Sequence, residues 1–505
     1  MRPISMVSTL AILVSGCGGT PMSKSSDLGS SDMASSPSDG GTGDMAMVKV
    51  TGTKVVGGTA LQLPLNDYPI MDDGTLVYQD KMGFPNAVPL AGGKAEAIAT
   101  SAAFSIFPKA VFSYSNIDQA AGAGDLSVWT PSQKTVGSPI PSVITVTGNN
   151  AGTWMAYLKS TSGDGSVADL YVSKLDGTSS TKVASGVAFS TDMAKRDACG
   201  PNWKFAGDTL VASYCVGNAT TATVVAVASG TTVTLLAGAK PFFALNKDNT
   251  QVVVSDAAGN VKVVPIGGGN GTPIDAKFAS GLLLNGEDTL LYVTSDMKLK
   301  RSPLTSPSPT ALVMADVGAM WRAFGATDPA VSPDKKYVLF NKNFNPDTNS
   351  GEIYLASVTT PGTATAIVDQ QTGLLQGDAF TTDSSRVLYY KNVKSVGKSA
   401  VVADLFSLPV GGGTPVAHGT KVWNSWAGTG TLVVYNDNYK SSPKSSLGDG
   451  RADLRVLDVA KSDAAMLLAA QAEADFYLTA AKDKVVFALQ QGGADQQGIY
   501  VAPLQ

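Results

Sequence analysis

The sequence predicts an all-β protein, a β-propeller of four-stranded antiparallel blades, and three observations predict it. Two short β-run patterns alternate along the chain from residue 48 onward. The second of them recurs every 38 to 54 residues, about 47 on average, which is the length of one blade. Composition agrees: 53 glycines and 26 prolines in 505 residues supply tight turns, and charged side chains make up 15% against about 25% in an average domain. A hydrophobic fraction of 44% with a net charge of -4 excludes a disordered chain.

The first element is a leader. One positive charge at Arg2 precedes an apolar run from Met6 to Val14, which ends in the small residues Ser15 and Gly16 before Cys17. That run is too short to span a bilayer and has the layout of a secretory signal over residues 1–16. The ending Val14-Ser15-Gly16-Cys17 resembles the lipobox of bacterial lipoproteins. The resemblance implies cleavage before Cys17 and lipidation of that residue. With Gly18 rather than Asp after it, the resemblance also implies an address at the outer membrane of the bacterial cell envelope, periplasmic or surface-facing. Residues 17–47 are Gly, Ser, Asp and Met without apolar period, a flexible tether whose rms reach is about 30 Å. Outside the cytoplasm thiols oxidise. The remaining pair, Cys199 and Cys215, is expected to form a disulfide worth about 3 kcal/mol in the chain-entropy model; two buried free thiols are the alternative.

The body, residues 48–505, is built from the two patterns. The first is a turn followed by a β-run, clearest at Ser332-Pro333-Asp334-Lys335-Lys336-Tyr337-Val338-Leu339-Phe340 and repeated around Asp73, Lys109, Gly152, Asp208, Asp248, Asp288, Asp383, Gly428 and Asp483. The second is a strand ending in a glycine turn, as in Asp169-Leu170-Tyr171-Val172-Ser173-Lys174-Leu175-Asp176-Gly177, with further copies such as Glu352-Ile353-Tyr354-Leu355, Asp404-Leu405-Phe406 and Asp453-Leu454-Arg455. Repeat register assigns the alanine-rich stretch Asp463–Asp475 to a strand and turn despite its helical propensity. Ten copies of the first pattern exceed the usual four to eight blades, so eight is the central expectation, with one unit an inserted hairpin. Seven to ten blades fit the spacing, and two smaller rings are the alternative. The last blade reads as short of a strand, so Val48–Val56 is expected to return and close the ring.

The Ser332–Phe340 copy followed by Glu352–Leu355 resembles the WD40-like repeat of TolB-type β-propellers, over residues 70 to 505. The resemblance implies a propeller body and protein–protein contact in the envelope, and it fixes no catalytic residue.

Candidate chemistry is sparse. A single histidine, His418, excludes a multi-His zinc site and leaves one possible base for a Ser or Cys nucleophile; no Gly-x-Ser-x-Gly elbow accompanies it. The acidic balance argues against a nucleic-acid partner. Aspartates at the first-pattern turns, Asp73, Asp208, Asp248, Asp288, Asp334, Asp383 and Asp483, are the residue type that builds such turns. Gly267–Gly269 and Gly411–Gly413 read as turns. Asp347, Asn349 and Glu352 offer a weak calcium loop short of an EF-hand; no other cofactor is expected. Trp203, Trp321, Arg322, Phe324, Trp423 and Trp426 enter first strands of blades, where aromatic and Arg side chains would make a binding face. Together these readings predict a monomeric, lipid-anchored, non-catalytic module binding an envelope protein or surface polymer. A polysaccharide hydrolase or lyase using carboxylates alone is the alternative.

Overall fold

The computed structural model describes residues 49–64, 68–189, 201–284, 288–320, 330–345, 350–362, 364–372, 376–396, 400–440, 450–461, 464–491 and 493–504. Every regular element among them is a β-strand, and apart from one short parallel contact every strand pairing is antiparallel. The Asp463–Asp475 stretch contributes the strand Met466–Glu473.

The strands group into ten consecutive units. Blade 1 consists of Thr75–Gln79, Pro85–Pro89 and Glu96–Ala97, with Gln62 and Ile70 bridging to it on the inside. Blade 2 holds Phe104–Ile106, Val111–Asp118, Ala123–Thr130 and the first part of Lys134–Gly148. The remainder of that long strand is the inner strand of blade 3, followed by Trp154–Ser160, Val167–Lys174 and Thr181–Ala188. Blades 4 and 5 share Thr231–Leu245 in the same way, between Asn202–Ala206, Thr209–Tyr214, Ala222–Ala228 and Gln251–Asp256, Val261–Pro265, Thr272–Asp275. Blade 6 runs Phe278–Leu283, Thr289–Thr294, Leu299–Pro303, Thr310–Val313, and blade 7 runs Ala319–Met320, Tyr337–Asn345, Ser350–Ser357, Ala364–Thr372. Blade 8 takes Arg386–Val396, Ala400–Pro409 and Val416–Val422, with Phe380 bridging to Val387 on the inside; blade 9 takes Asn424–Ala427, Leu432–Lys440, Arg451–Asp458 and Met466–Glu473, and Gln376–Gly377 pairs parallel with its first strand. Blade 10 is Phe476–Leu478, Lys484–Leu489, Gly498–Pro503 and, on its outside, Thr53–Gly57 from the start of the body.

Apolar clusters join each blade to the next. Val211 and Val224 of blade 4 pack with Val252 and Val254 of blade 5, and Leu388 and Leu405 of blade 8 with Val433 and Tyr435 of blade 9. The series closes on itself: Leu76, Tyr78 and Val88 of blade 1 share a cluster with Val486, Ala488 and Ile499 of blade 10. The chain is a β-propeller. Among the described residues the strands form ten units linked by interface clusters in chain order and back to the first, a number at the upper end of the expected seven to ten and above the central eight. All ten first-pattern copies form the second strand of a blade, so none is an inserted hairpin.

Closure follows the expected strand, with an addition. Thr53–Gly57 pairs antiparallel with Gly498–Pro503. Just before it, residues 49–51 pair with the outer strand of blade 9: Thr51 N–H donates to Leu468 O (2.7 Å) and Ala470 N–H to Lys49 O (3.1 Å). The entering segment therefore joins blades 9 and 10 as well as completing the tenth.

Aromatic pairs directly opposite each other on second and third strands reinforce four blades. Tyr157 stacks on Tyr171, Phe340 on Tyr354, Tyr389 on Phe406 and Phe487 on Tyr500, with centroids 5.3 to 5.7 Å apart.

Candidate binding face

In each blade the turn between first and second strands lies at one end, and the loop between second and third strands lies at the other. These two ends make the two faces of the ring, and their chemistry differs.

The turn face is knitted to itself. Ser332 Oγ accepts the Tyr337 N–H (3.0 Å), Asp334 Oδ1 accepts the Lys336 N–H (3.1 Å), and Lys335 between them is left-handed (φ 62°). Asn149 and Asn246 do the work of Ser332 in blades 3 and 5, each carbonyl oxygen accepting two N–H groups. Neighbouring turns then join: Asn149 Nδ2 donates to Asp208 Oδ1 (2.9 Å), Lys247 N–H to Asp288 Oδ1 (3.1 Å) and Asp334 N–H to Ser384 Oγ (2.9 Å). Asp73 and Asp383 accept N–H groups within their own turns, and Asp483 accepts the Thr479 hydroxyl. Burial works against ionisation of Asp383, yet hydrogen bonds from Thr381 and Ser385 hold its carboxyl below the ordinary value. These carboxylates are scaffold.

The loop face presents more open groups. Of the seven large apolar side chains exposed among the described residues, four sit here: Met82, Val216 and Met297 in second-to-third loops, and Met314 in the crossover leaving blade 6. Between blades 2 and 3 the same face holds a cleft of about 300 Å³, lined by loop residues of both blades and by Ser142 of the crossover.

The predicted residues are distributed as follows. Trp203 is a correction: it is 2% exposed and packs in the cluster joining blades 3 and 4, because the alternation of its strand turns it into the blade interface. Trp423 is half-buried and stacks on Tyr439 at 4.9 Å, and half-buried Trp426 packs against the cluster of blades 9 and 10. Trp321, Arg322 and Phe324 lie outside the described residues, as do Cys17, Cys199, Asp347 and Asn349. Cys215 is buried beyond the end of Thr209–Tyr214. Glu352 is engaged by Asn343 Nδ2 (3.1 Å) and the Tyr354 hydroxyl (2.9 Å), so its oxygens serve the blade. Among the described residues no group of three His, Cys, Asp or Glu side chains could hold a metal.

His418 lies on the outer strand of blade 8, with Nε2 2.7 Å from Ser407 Oγ. Ser407 is fully buried and also accepts a hydrogen bond from Arg386 (3.2 Å). Burial, with Arg386 nearby, pushes the imidazole down to about 4. A nucleophile with no exposure and a guanidinium on its oxygen is a packing motif. Asp437 of blade 9 is pushed above the ordinary value by burial, and Asp453 faces it across the strand pair. Arg455 Nε lies 2.9 and 3.0 Å from its two oxygens, so this carboxylate is committed to an ion pair.

No protein-family model matches the sequence, and no curated protein matches it. Solved structures similar to this chain include a tricorn protease (12% identity, TM-score 0.32, 90% of this chain and 53% of that one) and a eukaryotic initiation factor (13%, TM-score 0.46, 77% and 94%). The C-terminal WD40 domain of Sif2 is a third (13%, TM-score 0.32, 63% and 86%). The chain spans about half the length of the tricorn protease chain. At these values none of the likenesses says anything about activity.

One recurrent feature of the loop face escaped the sequence reading. Asn116, Asn343, Asn392 and Asn438 are left-handed (φ 48° to 56°) at bulges late in second strands. Each donates its amide to an acid in the first half of the next strand: Asp125, Glu352, Asp404 and Asp453. The signal was present as the acidic first residue of the second pattern, paired with an Asn 9 to 15 residues earlier.

Proposed function

We propose that this chain is a non-catalytic binding module of the bacterial cell envelope, a TolB-type propeller lipid-anchored through Cys17, that engages an envelope protein or surface polymer through its loop face. One observation carries the reading. Among the described residues, the polar cleft and four of the seven exposed large apolar side chains occur on the loop face, whereas the turn face spends its polar groups on its own hydrogen bonds. The proposal includes a disulfide between Cys199 and Cys215, as expected of an exported protein. The enzymatic alternative is favoured only by the raised carboxyl of Asp437, whose pairing with Arg455 argues for a structural role.

Site-specific photocross-linking on intact cells tests this. Probes at Met82 and Met297 should give discrete adducts, and probes at Asp248 and Lys335 on the turn face should not. Equal adducts from both faces, or no adducts together with glycan-degrading activity of the purified protein, would overturn the proposal.

A further inference from the structure

A cleft on the loop face lies between blades 2 and 3. It is formed where the second-to-third loops of two blades meet the crossover between them. Gly165 sets their approach: a Cβ there would run into the Ala121 carbonyl, so the loops lie as close as backbone permits.

Several donors around this cleft are already committed. Asn116 Nδ2 donates to Asp125 Oδ2 (2.8 Å), Ser160 Oγ to Ser162 O (2.7 Å), and Thr161 Oγ1 to Val167 O (3.1 Å). Asp118 Oδ1 takes the N–H groups of Ala120 and Ala121 (2.9 and 3.3 Å). The second oxygen of Asp118, the Oδ1 atoms of Asp125 and Asn116 and the hydroxyl lone pairs are left to receive hydrogen bonds. No Lys or Arg lines the cleft, and buried Ala121 and Ala123 give it an apolar floor. A ligand that fits brings several hydroxyl donors, no negative charge and a C–H face. The volume of about 300 Å³ is that of a small-molecule site, well above what a single ion fills.

We infer that this cleft is a subsite for a neutral saccharide unit, held by its hydroxyls against Asp118, Asp125 and Asn116. The inference deepens the loop-face reading by naming the polymer as a neutral glycan. It is tested on the full mature protein by saturation-transfer NMR and calorimetry with galactose, N-acetylglucosamine and glucuronate. Neutral sugars should saturate in the millimolar range, with glucuronate about tenfold weaker. Asp118→Ala and Asp125→Ala should each weaken binding by about tenfold. Gly163→Trp, placed where a side chain meets open space, should block the cleft without disturbing the fold. Neutral-sugar binding unchanged in Gly163→Trp, or absent from the parent protein at tens of millimolar, overturns the inference. If the second result comes while loop-face cross-links persist, the glycan assignment fails and the binding face stands.

Discussion

His418 turns the chain's only imidazole into a reporter of packing. Its depressed value means that the unfolded chain takes up a proton, near pH 6.5, before the folded chain does, near 4. Stability is therefore fully present above pH 6.5 and declines as pH falls from there toward 4. Thermal melts across that window should show the decline, and His418→Phe should flatten it; an unchanged slope would mean that other groups govern it. Trp203 makes the opposite kind of statement. As a buried wedge between blades 3 and 4, its replacement by Ala should cost about 3 to 5 kcal/mol in urea unfolding, with a much smaller loss at half-exposed Trp423. Sequence could not separate these two tryptophans. Both enter first strands, and only the alternation and twist of each strand decides which one turns into a blade interface.

At the scale of elements, turn chemistry made most strands legible. A turn residue followed by an alternating or apolar run marks each second strand, since Ser332, Asn149 and Asn246 leave a recognisable Ser or Asn where the turn needs an acceptor. Five third strands followed from an acid near their start, Asp125, Asp169, Glu352, Asp404 and Asp453, whereas Pro85–Pro89, Ala222–Ala228, Val261–Pro265, Leu299–Pro303 and Gly498–Pro503 have none. Inner elements such as Ala319–Met320 and the single bridge at Phe380 in blade 8 are too short to carry a period. The cleft was equally hidden, because Ser, Thr and Gly in its loops look like any connector until two loops are brought together. The left-handed Asn bulges give a test confined to one element. Asn438→Ala should destabilise by about 1 kcal/mol or more, losing both the tolerated φ and the bond to Asp453, whereas Asn438→Gly should recover the backbone part. Equal losses for Ala and Gly would mean that the conformation itself contributes nothing.

The whole molecule depends on a single closure. Every blade but the tenth is contiguous in sequence, and the tenth borrows Thr53–Gly57. Deleting residues 48–56 should lower the melting temperature by more than about 5 °C and broaden the transition, because it opens the ring between blades 10 and 1 and uncovers the edge of Gly498–Pro503. A melt matching that of the parent protein would show that the blade interfaces alone hold the ring.

Residues 49–51, bonded to the outer strand of blade 9 ahead of the closing strand, give the start of the body a second hold on the ring. In a chain anchored at Cys17, as we propose, load from the anchored side would meet the Thr51–Leu468 and Lys49–Ala470 hydrogen bonds before it met the pairing of Thr53–Gly57 with Gly498–Pro503.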